Sequence, residues 1–232
     1  MADASGISAG GEPARRIGGA HDEIVRTAYR LFIDVGYEKA TYALIAERSG
    51  FERTLVQYHL PRKADLAAHF LTDVLRISER VLADLRLADS DEPMGYRYVL
   101  AQVYYAVLSA PALRGFAVEA LDRRSIVSQV LDRDIEWNLQ LVRPDQERRQ
   151  ALIDDSIMAV GGAYELLAHR LRAGRDAEPA DLAARTLLGA VRRETAERLP
   201  TEDTLAAHTL PPDRRKDAAR RVIAALRDDA GD

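Results

Sequence analysis

Gly36, Gly50 and Pro61 divide residues 23–66 into one helix followed by two short ones, and that division constrains the fold more than any other feature of the chain. Ahead of Gly36, apolar Ile24, Ala28, Leu31 and Phe32 recur at i, i+4, i+7 and i+8, so one stripe of a helix faces a small core. Gly36 stops that helix. Thr41 is placed to N-cap the second, its hydroxyl accepting an orphan backbone N–H, and Leu44 and Ile45 then turn inward. Gly50 supplies the positive φ of a tight interhelical turn, with Phe51 as the apolar plug behind it.

The spacing predicts a third helix over residues 52–59, with Leu55 and Val56 for the core and Arg53, Thr54, Gln57, Tyr58 and His59 left outside. Those five are donors, acceptors and a flat ring. Pro61 ends the helix, because its ring cannot continue the hydrogen-bond ladder and pushes Leu60 out of helical geometry. Lys63 then opens the next helix. Two short helices set at a steep angle about a glycine form a helix-turn-helix, the arrangement that lays its second helix into a DNA major groove.

These residues resemble the DNA-binding headpiece of the TetR family of bacterial transcription regulators. The family's pattern of A-x-x-L-F, G-[YF], a capping threonine, I-A-x-x-A-G and a closing Y-[YH]-[HY]-F-x-x-K-x-x-L appears here as Ala28, Leu31, Phe32, Gly36, Tyr37, Thr41, Ile45, Ala46, Gly50, Phe51, Tyr58, His59, Pro61, Lys63 and Leu66. The departures bear on specificity. Ser49 and Phe51 flank the turn glycine where the family more often has Ala and Val, and Glu52 stands where a serine usually caps the recognition helix. Thr54 replaces a Gly or Ala, Gln57 a Tyr and Leu60 a Phe, while Ala43 lacks a frequent basic side chain. The resemblance implies that Thr41, Tyr58 and Lys63 meet phosphates and that Arg53, Thr54, Gln57 and His59 lie nearest the bases. The competing reading for Tyr58 and His59 is that they pack under the headpiece.

The net charge of −4 looks wrong for a DNA binder until the charges are located. Between Arg48 and Lys63 the chain carries Arg48, Arg53, Arg62 and Lys63 against Glu52 alone, and Arg15 and Arg16 form a basic pair ahead of the first helix. The chain has no cysteine, which excludes disulfides and thiolate chemistry. No apolar run approaches the roughly 20 residues needed to span a bilayer, and residues 1–11 lack the apolar core of a signal peptide, so no membrane association and a cytoplasmic address are expected.

The remainder predicts an all-α body. Leu66, Phe70, Val74, Ile77, Val81 and Leu85 give a helix over residues 62–87, roughly 39 Å long at 1.5 Å per residue. Further helices are expected over residues 95–110, 112–122, 125–142 with Ser125 as cap, 145–173 and 179–199, the last including Val191. The organisation expected is an arm over residues 1–19, the helix-turn-helix domain over 20–66, an effector-binding and dimerisation domain over 67–200, and an extension with a final amphipathic helix over 201–232. Residues 145–173 are apolar on two faces, one with Leu152, Ala159, Ala163 and Leu166, the other with Ile153, Ile157, Val160, Tyr164, Leu167 and Leu171. Small Ala159, Gly161, Gly162 and Ala163 allow another helix to approach closely.

The resemblance implies that the last two body helices pair with a second copy, giving a homodimer that reads two half-sites of a double-stranded DNA operator about one turn, ~34 Å, apart. It also implies a small-molecule effector held among the body helices, for which the aromatic and thioether candidates are Tyr98, Tyr104, Tyr105, Phe116, Trp137, Met158 and Tyr164, with Asp134, Glu136 and Asn138 as polar neighbours. The bland alternative is that these side chains fill the core. Enzyme chemistry finds little support. Glu165 and His169 at i, i+4 lack further metal-ligand partners, Ser125 and His169 have no nucleophile elbow, and no phosphate-cradling glycine motif occurs, so no cofactor, no metal and no catalysis are expected. The reading is a ligand-released repressor. A transcriptional activator, or a protein-interaction module that keeps the helix-turn-helix, remains the alternative.

Overall fold

The computed structural model describes residues 12–88, 92–190 and 201–228, and all regular structure among them is helical. The order is α1 (Glu12–Val35), α2 (Tyr42–Ser49), α3 (Arg53–His59), α4 (Lys63–Leu85), α5 (Pro93–Ser109), α6 (Arg114–Leu121), α7 (Arg124–Val142), α8 (Gln146–Arg172), α9 (Pro179–Ala190), α10 (Glu202–Ala207) and α11 (Pro212–Asp228). No helix among the described residues is long and apolar enough to cross a membrane. The expected tip of the arm, residues 1–11, and the expected helical residues 191–199, Val191 among them, lie outside the described residues.

Two starts differ from expectation. α1 begins at Glu12, which takes Arg15 and Arg16 into helical backbone instead of a flexible arm. Pro13 sits in the first turn, where a missing N–H costs nothing because that donor has no intrahelical partner. α7 begins at Arg124 behind an extended Arg123, so Ser125 falls inside the helix and caps nothing. α8, by contrast, starts on an N-cap: the Arg148 backbone N–H donates to Asp145 Oδ1 at 2.9 Å.

α1 packs against α2 and α3, and Ile24, Ala28, Phe32, Ile45 and Val56 are fully buried there. α4 runs unbroken from this headpiece into the body, so the boundary expected at residue 66 falls inside a helix. The two parts share one apolar core. Phe32 of α1, Phe70 of α4 and Phe116 of α6 meet with ring centroids 4.8 to 5.6 Å apart. A polar clamp lies beside them: the Tyr29 hydroxyl donates to Asp73 Oδ2 at 2.7 Å, and Arg76 Nε pairs with Asp73 Oδ1 at 3.1 Å. Burial, with the Asp73 carboxylate second, pushes the Tyr29 hydroxyl far above its ordinary pKa and keeps it a donor.

The body is built from α4, α5, α7, α8 and α9. α8 and α9 pack tightly, because the α carbon of Gly189 lies against Ala159: a Cβ added there would meet the Ala159 Cβ at 2.9 Å. Part of the small-residue stretch of α8 therefore serves contact within the chain. Ile157 and Met158 of α8 and Leu188 of α9 remain exposed.

The extension docks on the body. α11 lies against α4, α5 and α1, and buries Ala218, Ala219, Val222 and Leu226. Gln102 of α5 ties down the segment ahead of it, donating to His208 O at 3.0 Å and accepting from the Leu210 N–H at 3.0 Å. At the far end, Arg227 pairs with Asp34 of α1 at 2.8 Å.

Candidate nucleic-acid interface and ligand cavity

The local chemistry of the headpiece follows the sequence. Thr41 Oγ1 accepts the Leu44 N–H at 3.2 Å, which leaves its hydroxyl proton free for an outside acceptor. Gly50 closes α2 at φ 75°, and Glu52 precedes α3 without a side-chain cap bond. On α3 only Val56 is buried. Arg53, Thr54 and Gln57 are exposed, and Tyr58 is 77% exposed, so it does not pack under the headpiece.

Three residues sit differently from expectation. Leu55 is exposed, and Leu60 takes its place in the core, since Leu60 lies four residues beyond Val56 on the same helical face and Leu55 does not. His59 is half-buried, with its ring 5.6 Å from that of His21 on α1, at the edge of the outward surface. Lys63 is turned inward: Nζ donates to Tyr37 O at 2.8 Å and stands 4.2 Å from the centre of the Tyr37 ring. Burial lowers its pKa, against the opposing pull of Glu38. Here Lys63 braces the turn after α1, with its side chain partly buried.

That turn is the second point of contact between headpiece and body. Gly36 adopts φ 89°, and the next residues meet α6 and the start of α7. The Glu38 backbone N–H donates to Glu119 Oε2 at 2.8 Å, Arg123 bonds the Glu38 carboxylate, and the Arg123 guanidinium lies 5.0 Å from the Tyr37 ring centre. The hydrogen bond from Arg123 holds the Glu38 carboxyl below its ordinary pKa. Sequence reasoning missed Glu119 and Arg123, because their partners lie more than 80 residues earlier and nothing local marks them.

In the body, Tyr104, Tyr105, Trp137 and Tyr164 come together around one cavity of about 30 Å³, joined by Arg97 and Asp134. Tyr164 donates to Asp134 Oδ2 at 3.2 Å, so Tyr104, at 3.2 Å, donates to Tyr164. Thr186 uses its proton on Leu182 O at 2.8 Å, so Tyr105 donates to Thr186 Oγ1 at 2.8 Å. Burial raises all three phenols and keeps them neutral. It also raises Asp134, against the nearby charges of Arg97 and Arg133.

Arg97 is the cavity residue the sequence reading passed over. It is buried, its guanidinium stacks 3.9 Å from the Trp137 ring centre, and its Nη1 has no hydrogen-bond partner. A signal was present: Arg97, Ala101, Tyr104 and Tyr105 fall at i, i+4, i+7 and i+8, one helical face.

The other three ligand candidates lie elsewhere. Tyr98 binds the C-terminal segment through Thr209 Oγ1 at 3.1 Å. Phe116 belongs to the junction with α1, where ring packing claims its whole surface, and Met158 is 60% exposed on α8. Of the polar neighbours, Asn138 is buried and donates to Ser156 Oγ at 2.9 Å, while Glu136 is exposed. No group of three or more metal-ligating side chains converges among the described residues.

Residues 24–70 match the family model of the bacterial regulatory proteins of the tetR family. Comparison with curated proteins and with solved structures returned no match.

Proposed function

We propose that this protein is a TetR-family DNA-binding transcriptional regulator, a repressor that binds a palindromic operator as a homodimer and is released by a small molecule in the cytoplasm. The observation that carries the reading is the family match over a helix-turn-helix whose third helix turns Arg53, Thr54, Gln57 and Tyr58 outward. Gln57 has the donor and acceptor pair that reads adenine, and Arg53 the fork that reads guanine or grips a phosphate. Seven residues of α3 reach too few base edges for a specific site. A second copy doubles them and sets the half-sites about one helical turn apart.

Exposed Ile157, Met158 and Leu188, beside the glycines of α8, support dimerisation through α8 and α9. The placement of the cavity supports release by a ligand. Leu75 of α4 lines it, and two residues earlier Asp73 holds the Tyr29 hydroxyl of α1. A ligand that displaces Leu75 shifts α4 against the headpiece and favours a DNA-incompetent state to the extent that it binds that state better.

Selection of bound sequences from a random duplex pool, with sedimentation of the free protein, tests the reading. A palindromic consensus and a dimer are expected. A monomer, or a pool with no enriched sequence, would favour a protein-interaction module instead, and a reporter driven by the selected site separates repression from activation.

A further inference from the structure

We propose that the cavity among α4, α5, α7, α8 and α9 is a site for a small aromatic carboxylate, entered between α4 and α7 with Trp137 as the gate and Arg97 as the anion receptor. The inference deepens the ligand-release reading and rests on it only for the consequence at DNA.

Arg97 carries the argument. A buried guanidinium normally finds acceptors for its N–H groups, since leaving a buried donor unmade costs about 1–3 kcal/mol. The phenol protons of Tyr104, Tyr105 and Tyr164 are already used within the cavity, and Asp134 accepts from Tyr164. What the cavity lacks is an acceptor for Arg97 Nη1. Arg133, one turn before Trp137 on α7, also has a buried Nη1 without an acceptor, on the outer side of the same wall. Two charged donors short of acceptors call for a ligand with charged oxygens, and a carboxylate matches the guanidinium edge.

The walls select a flat body. The Arg97 guanidinium lies against the Trp137 ring and Tyr104, Tyr105 and Tyr164 line the same cavity, so a carboxylate held by Arg97 carries its body among aromatic faces. Carboxylates stand near as well: Asp134 in the cavity, and Glu79 and Glu136 in the outer groove. Asp134 is answered by the Tyr164 hydroxyl and by the charges of both arginines, which leaves Arg97 Nη1 to the ligand.

At about 30 Å³ the cavity has room for a water and not for a ring. An open groove of about 340 Å³ lies outside it between α4 and α7, and Leu75 and Trp137 line both. Moving the indole joins the two spaces into a volume within the range of ligand pockets, roughly 300 Å³ and upward. A larger groove of about 610 Å³ along α11 is the rival, but its less exposed cations are engaged: Arg114 with Leu171 O at 2.6 Å, and Arg215 with Leu210 O at 2.7 Å.

Trp137 is the one tryptophan of the chain, so its fluorescence reports this gate alone. The full-length protein is titrated with benzoate, benzamide and benzylamine. Benzoate is expected to give a saturable change in emission, with the neutral and cationic analogues at least tenfold weaker. Arg97→Gln is expected to lose that preference, and Arg97→Lys to keep part of it, with circular dichroism showing both variants folded. No saturable response to benzoate, equal response to benzamide, or wild-type affinity in Arg97→Gln each overturns the assignment. Operator binding is measured separately: benzoate bound without DNA release leaves the site standing and removes the release reading, whereas release by a compound that ignores Arg97→Gln does the opposite.

Discussion

Glu119 of α6 accepts the backbone N–H of Glu38 at 2.8 Å, which ties the body to the turn between the first two headpiece helices. The bond is charge-assisted but exposed, so water replaces it at modest cost. Glu119→Ala is expected to destabilise the fold by about 1 kcal/mol, a drop in Tm of roughly 2–4 °C for a chain of this size. Amide exchange should speed up across residues 36–40 and stay unchanged in α3. Unchanged exchange at Glu38 would mean the bond does not hold the turn.

The two headpiece glycines are expected to differ. Both adopt positive φ, 89° at Gly36 and 75° at Gly50, where an L side chain costs about 1–2 kcal/mol. A Cβ at Gly50 meets nothing, whereas at Gly36 it would lie 2.8 Å from Glu119 Oε2. Gly36→Ala should therefore lower Tm more than Gly50→Ala. Adding Glu119→Ala should recover part of the Gly36→Ala loss, a non-additivity that urea titration of the double variant measures.

Side chains on the outward surface should separate affinity from stability. Tyr58→Ala is expected to weaken DNA binding at unchanged Tm, because the ring is 77% exposed. Gln57→Ala should relax preference at one base pair in each half-site, worth about 1–3 kcal/mol, when variant and parent are selected against the same pool. Lys63→Ala should do the reverse. With its ammonium on Tyr37 O, its loss should lower Tm and leave the salt dependence of binding unaltered; a flatter salt slope would return Lys63 to a phosphate.

The Arg123–Glu38 pair gives a pH signature. Because Arg123 holds the Glu38 carboxyl below its ordinary value of 4.5, the pair stabilises the fold above that value and is lost as pH falls through the lower, folded one. Both side chains are substantially exposed, so the contribution is at most about 1 kcal/mol. Arg123→Ala should melt slightly below the parent at neutral pH, and the two curves should converge at strongly acid pH. A gap that persists in acid would assign the effect to Arg123 packing on Tyr37.

What the sequence determined by itself was local. The helical stripes of α1 and α4, the Thr41 cap, the left-handed glycines and the stop at Pro61 depend on residues within a turn or two of each other, and the pattern over 24–70 was enough to identify the headpiece. Tertiary structure decided everything that depends on which faces meet. It put Leu60 inside and Leu55 outside, assigned Phe116 to the junction with α1, and used Ala159 to admit Gly189. It laid α11 back on α1 and α4, turned Lys63 onto Tyr37, and left Arg97 buried with a donor unmet. Periodicity says which residues share a face but not what that face is pressed against, and the partners of Glu119, Arg97 and α11 are supplied by chain segments far away in sequence.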